Sequence, residues 1–186
     1  MHGLSLDLND PEMVWVDNGA RSVAYFCLRT PVMVDKELIR KLKEIAAALN
    51  GTKNVRLCLH DSPKAIFHNM IVLENKIKYY RPHKHPSKSE TFHIIEGTMA
   101  VIVFAENGQI ENSSVLDAQE NFLYRVDANT YHAVMPLSDL VIYHESKPGP
   151  FIGKSDIYPS WAPEESNIEL VNQYKQRMLE LLGRIL

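Results

Sequence analysis

The stretch Arg81-Pro82-His83-Lys84-His85-Pro86-Ser87-Lys88-Ser89-Glu90 places two histidines at i and i+2 and a carboxylate five residues later. On a strand, residues two apart project to one face. If residues 76–85 are one strand, His83 and His85 point into a common space. Glu90 then returns to them from the neighbouring strand, after a turn around Pro86-Ser87-Lys88-Ser89, and Gly97 closes the next hairpin. His132 follows a later strand inside a turn-rich stretch, as expected of a donor from another hairpin. Three imidazoles and a carboxylate suit Fe(II), Mn(II), Ni(II), Zn(II), Co(II) or Cu(II), and leave an octahedral ion two open positions for a ligand. A lone strand histidine is more often hydrogen-bonded or solvent-facing than a metal ligand. The specific signal is the H-x-H pair with its glutamate, glycine and distant histidine in a strand-rich setting.

The flanks supply that setting. Short β-branched and aromatic runs at residues 55–59, 65–73, 76–81, 91–96, 98–105, 122–126, 133–134 and 140–143 are punctuated by Gly97, Glu106-Asn107-Gly108, Asp127-Ala128-Asn129 and Pro136. Many short strands with closely spaced turn signals predict an all-β sandwich or barrel. Upstream, 14–16 and 23–28 read as a hairpin about Asp17-Asn18-Gly19. From Asp35 as N-cap, Leu38, Leu42, Ile45 and Leu49 recur at helical spacing until Asn50-Gly51. At the other end, Ile168, Val171, Met178, Leu181 and Ile185 share one helical face, with Pro163 placed to start the helix. Residues 1–53 are expected to pack strands and a helix on the barrel, 54–160 to form it, and 161–186 to add a helix, all as one structural domain.

The 186 residues suit one domain, and 45% hydrophobic against 23% charged residues is an ordinary globular balance. Twenty Lys and Arg against 23 Asp and Glu leave a net charge of −3, with no basic stretch to neutralise phosphates. Nucleic acid is therefore not the expected partner. No leader pattern or bilayer-length apolar run is visible, and Cys27 and Cys58 have no CxxC spacing. The reading is a cytoplasmic protein away from membranes, with a homodimer suggested by strand edges and the apolar stripe of the last helix.

Other residues are candidates for the same cavity. Strand parity puts Tyr79 and Arg81 on the face of His83 and His85. Arg81 suits a ligand carboxylate or phosphate, or else a structural carboxylate at the barrel mouth. Tyr79 is either a catalytic group or core packing, and His60 either an acid–base group beside the metal or a turn residue before Asp61-Ser62-Pro63. Lys147-Pro148-Gly149-Pro150-Phe151 reads as an ordered loop, over the mouth or on the surface. His93 is expected to face away, and His2, His68 and His144 to be structural or solvent-facing.

The chain resembles the cupin superfamily, whose first motif is G-x5-H-x-H-x3–4-E-x6-G. His83, His85, Glu90 and Gly97 match it, with Ile77 in place of the leading glycine. The second motif, G-x5-P-x-G-x2-H-x3-N, is matched at His132, with Asn121, Asp127, Asn129 and Pro136 in the other places. Asn tolerates positive φ, so Asn121 and Asn129 are expected to keep the turns. Over roughly residues 54–165 the chain is similar to the WbuC family of cupin-fold metalloproteins. The shared stretches are Asn54-Val55-Arg56-Leu57-Cys58-Leu59-His60, the Arg81–His85 core, Glu145-Ser146-Lys147-Pro148-Gly149-Pro150-Phe151 and Trp161-Ala162-Pro163-Glu164. That family is associated with bacterial O-antigen and polysaccharide gene clusters and has no defined reaction.

The resemblance implies a cupin jelly-roll with two added helices. It also implies one divalent metal (Fe, Mn, Ni or Zn) on His83, His85, Glu90 and His132, and a small carbohydrate or sugar-acid ligand. Two alternatives stand beside an enzyme: a non-catalytic module whose metal anchors a carbohydrate or effector, and a metal-free sugar-nucleotide isomerase. The isomerase needs a His–Asp base and a Tyr acid, which spacing alone does not locate.

Overall fold

The computed structural model describes residues 6–19, 21–151, 153 and 156–183; the leader reading at residues 1–5, His2 and Ile185 fall outside them. Among these residues the order is β1 (Val14–Asp17), β2 (Ser22–Cys27), α1 (Lys36–Ala48), β3 (Asn54–Cys58), β4 (Phe67–Asn75), β5 (Glu90–Glu96), β6 (Thr98–Phe104), β7 (Ile110–Asp117), β8 (Leu123–Val126), β9 (Tyr131–Pro136), β10 (Leu140–Pro148) and α2 (Ile168–Leu182). Seven strands form one sheet, β1-β2-β3-β4-β10-β5-β8, and three form a second, β7-β6-β9. The architecture is the all-β jelly-roll sandwich with two helices that the sequence predicts, and the sheets do not close into a barrel.

Side-chain alternation sorts the strands into three apolar layers. Met70 and Val72 of β4 and Val141 and Tyr143 of β10 face the small sheet's Met99, Val101 and Leu116. Their neighbours Ile71, Leu73 and Ile142 face outward onto Leu38, Leu42 and Ala46 of α1. On the small sheet, Ala100, Ile102, Phe104, Tyr131 and Ala133 face outward onto Met178 and Leu182 of α2. The order is thus helix, large sheet, small sheet, helix. Burying each of the Leu, Ile, Val, Met and Phe side chains among them contributes roughly 1.5–3 kcal/mol.

Local chemistry explains the element ends. Asp35 caps α1 by accepting from the Leu38 N–H at 2.9 Å, and Asn50 (φ 47) and Gly51 (φ 71) turn the chain away after it. Gly97 (φ 84) is required because a Cβ there would stand 2.6 Å from the Leu140 carbonyl oxygen. β1 and β2 form the expected antiparallel hairpin, and β2 lies parallel to β3.

Four expectations are corrected. Residues 76–81 are turn and irregular chain rather than a strand: the Tyr80 hydroxyl and Lys78 N–H both bond back to the Asn75 carbonyl, bending the segment off the end of β4. α2 begins at Ile168, capped by Asn167 through the Leu170 N–H, and not at Pro163. Asn129 takes positive φ (59), whereas Asn121 does not. The stripe of α2 is used within this chain, where Val171, Met178 and Leu182 are buried, so it lends no support to a dimer. No helix among the described residues is long and apolar enough to cross a membrane.

Candidate metal centre

The small sheet continues past β9. His83 and His132 exchange both backbone hydrogen bonds, at 3.0 and 2.9 Å, so their side chains project to the same face. That face is the interior, because His132 alternates with the inward Val134 on β9. The Asn129 turn, with its positive φ, directs its N–H onto the His85 carbonyl at 2.7 Å and so fixes the next histidine. Glu90 enters from the opposite layer as the first residue of β5.

His83, His85, Glu90 and His132 come together here, with one potential ligand atom from each lying within 4.8 Å of the others. His85, Glu90 and His132 are buried, and His83 is nearly so. Nδ1 of His83 sits 3.0 Å from the Arg81 carbonyl oxygen, and Nδ1 of His132 2.9 Å from that of Thr130. A ring held by Nδ1–H donation keeps Nε2 for the centre. Nε2 of His132 lies 3.1 Å from Glu90 Oε2, and Nε2 of His85 2.9 Å from Glu90 Oε1. Nε2 of His85 is buried and is not aligned for a true hydrogen bond to Glu90, while Nδ1 faces Asp156 Oδ1 at 2.9 Å. An orphaned imidazole nitrogen facing a carboxylate and two more imidazoles is what a metal ion would satisfy.

Electrostatics follow from burial and partners. Burial, reinforced by the charge of His132, lowers His83 to about 4, so it is a neutral imidazole. Burial also lowers His85, but Asp156 and Glu90 outweigh it and raise the group to about 9. Glu90 is held well below the usual carboxylate range: burial raises it, and Lys147, His132 and His85 overcome that. The Lys147 ammonium touches Glu90 Oε1 at 2.7 Å and Glu145 Oε1 at 2.6 Å.

The other expected site residues lie elsewhere. Because 76–81 is not a strand, the parity that aimed Tyr79 and Arg81 inward does not apply. The Tyr79 hydroxyl donates to the Pro163 carbonyl and its ring packs edge-on to Tyr174 of α2. Arg81 donates to the Pro159 carbonyl at 3.3 Å and stacks over Tyr158 at 5.1 Å. Both residues stitch the segment after β10 to the histidine-bearing chain. His60 stacks on His68 at 4.3 Å, and its Nδ1 lies 3.1 Å from the Asn69 carbonyl oxygen, away from the four-residue cluster. His93 is exposed beside Phe122, facing away as expected, and His144 contacts Asn69.

Two charged residues at the site were not anticipated. Lys147 was legible: Tyr143, Glu145 and Lys147 alternate along β10, and continuing the strand past residue 143 turns all three inward. Asp156, whose Oδ1 lies 2.9 Å from His85 Nδ1, has no such local signal.

The sequence profile of a domain of unknown function (DUF6016) matches residues 34–116, short of half the chain and of His132. No curated protein sequence matches the chain. Among solved structures, the chain is similar to the capsular polysaccharide assembling protein CapF from Staphylococcus aureus (TM-score 0.45, 12% identity, 52% of this chain and 27% of that one). It is similar to oxalate decarboxylase from Lactobacillus farciminis (0.41, 20%, 50% and 26%). It is also similar to protein SO0799 from Shewanella oneidensis (0.45, 12%, 62% and 74%). The chain thus spans about a quarter of the length of the first two.

Proposed function

We propose that the protein holds one divalent transition-metal ion (Fe, Mn, Ni or Zn) at His83, His85, Glu90 and His132. We further propose that it uses the ion to bind and act on an oxygen-rich small molecule, a carbohydrate or sugar acid. The observation that carries this is the convergence of one nitrogen from each of three imidazoles with a Glu90 oxygen, two of the rings being tied back by Nδ1 to backbone carbonyls. The charges agree: the carboxylates of Glu90, Glu145 and Asp156 outnumber the single ammonium of Lys147 around the donors. The polysaccharide setting rests on the stretches shared with the WbuC family. The free, buried Cys27 and Cys58 and the edge strands β1 and β8 support a reducing, cytoplasmic location and a homodimer.

When bound, such an ion supplies Lewis acidity that polarises a ligand oxygen. The chain's own residues set the conditions for it. His83 is neutral and offers a lone pair without first losing a proton. Glu90 is ionised, and Lys147 balances the carboxylates behind it. Tyr158, whose ring centre lies 6.0 Å from that of His83, forms part of the wall on that side.

A second reading has one observation in its favour: His85 and Asp156 form the His–Asp pair that a metal-free isomerase needs. Against it, an imidazole raised to about 9 carries its proton at neutral pH and is a poor base.

Elemental analysis of protein purified without added metal separates these readings. About one transition ion per chain, lost in His83→Ala, is expected. A metal-free protein that isomerises nucleotide sugars in chelator would move the assignment to His85–Asp156. With metal present, turnover of sugar acids or nucleotide sugars that disappears in Glu90→Gln identifies an enzyme. Ligand binding without turnover identifies the non-catalytic module.

A further inference from the structure

We propose that Asp156 is a positioning residue of the metal centre. It holds His85 by Nδ1 so that this ring, like those of His83 and His132, presents Nε2. The inference rests on the metal reading above and concerns a residue that no motif marks.

The geometry comes from backbone register. Lys84 and Ile157 exchange both hydrogen bonds, at 3.0 and 2.9 Å, as an isolated antiparallel pair. In antiparallel pairing, one step forward on one chain meets one step back on the other. His85 therefore lies opposite Asp156, and His83 opposite Tyr158. The contacts agree: Asp156 Oδ1 is 2.9 Å from His85 Nδ1, and Tyr158 packs against His83. A slip of one residue would turn Asp156 to the other face. The register is anchored downstream by Arg81 on Pro159 and Tyr158, by Trp161 donating to the Glu106 carbonyl at 3.0 Å, and by Tyr79 on Pro163.

The need for such a residue is specific to His85. His83 and His132 each have a backbone carbonyl two residues before them to accept from Nδ1. The corresponding carbonyl for His85 is that of His83, which already accepts from the His132 N–H. His85 Nδ1 makes no main-chain hydrogen bond, and a side-chain carboxylate from the strap after β10 stands 2.9 Å from it instead. Outer partners of this kind fix the tautomer and raise the basicity of the ligating nitrogen.

The test is Co(II) titration of chelator-stripped protein, followed by visible absorption and calorimetry, in wild type, Asp156→Ala and Asp156→Asn. Asp156→Ala is expected to bind Co(II) about 10–100-fold more weakly, with an altered absorption band. Asp156→Asn, which keeps an acceptor oxygen, is expected to recover most of the affinity and the band. Urea unfolding of the stripped proteins shows whether Asp156→Ala is folded. Proton–nitrogen spectra of the zinc-loaded wild type read the tautomer independently: His85 should keep its proton on Nδ1. Wild-type affinity and spectrum in Asp156→Ala, or zinc on His85 Nδ1, would overturn the role of Asp156 and leave the metal centre standing. A wild type that binds no Co(II) would overturn both.

Discussion

Glu90 and Glu74 stand on the inner face of the same sheet, 4% and 7% exposed, and are driven in opposite directions. Glu90 touches the ammonium of Lys147 and two imidazoles and stays ionised. Glu74 has a hydrogen bond with Tyr143, but its Oε2 is buried without a partner; burial, with the charge of Glu145 added, raises it to about 8. Burial alone favours the protonated carboxyl, and only paired charge reverses that. One end of the sandwich interior is therefore assembled around charge, and the other stores a neutral acid.

The comparison can be broken most severely at Lys147. Replacing it with Met leaves Glu90 and Glu145 buried without their cation, and should lower the unfolding free energy of metal-free protein by about 3–5 kcal/mol at neutral pH. Urea denaturation measures this, and a change under about 1 kcal/mol would mean that the two carboxylates do not depend on Lys147.

Glu74→Gln sharpens the other side. Because the folded carboxyl titrates near 8 and its ordinary value is 4.5, the folded state binds the extra proton between those values. Its stability contribution is complete below about pH 4.5, declines as pH rises to about 8, and is absent above that. The glutamine variant should match wild type in mild acid and exceed it at pH 9 by an amount on the order of a few kcal/mol. Identical pH profiles would show that Glu74 is not held neutral. Smallest is Arg81→Ala: with its guanidinium on Tyr158 and Pro159, the loss should be about 1 kcal/mol of stability with metal stoichiometry unchanged. Loss of the ion in that variant would return Arg81 to the site.

The same contrast explains what could be read from sequence. α1 was legible because cap, period and stop all lie within one continuous stretch. The four clustered side chains were legible from an H-x-H pair, a carboxylate one turn later and a histidine in a strand of its own. β7 was missed because Ile110–Asp117 is a polar edge strand with little apolar alternation. Residues 76–81 were misread because Ile77, Tyr79 and Tyr80 have strand propensity, whereas hydrogen bonds back to Asn75 decide their path. Asp156 depends on the register of Lys84 with Ile157, a contact between distant segments that no local pattern encodes.

The most direct measurement is anomalous diffraction from crystals of the protein soaked in Mn(II) or Zn(II). One peak is expected at roughly 2.0–2.2 Å from Nε2 of His83, His85 and His132 and from a Glu90 oxygen. A map with no peak among these four, and Nε2 of His85 and His132 still against Glu90, would contradict a metal centre at this site.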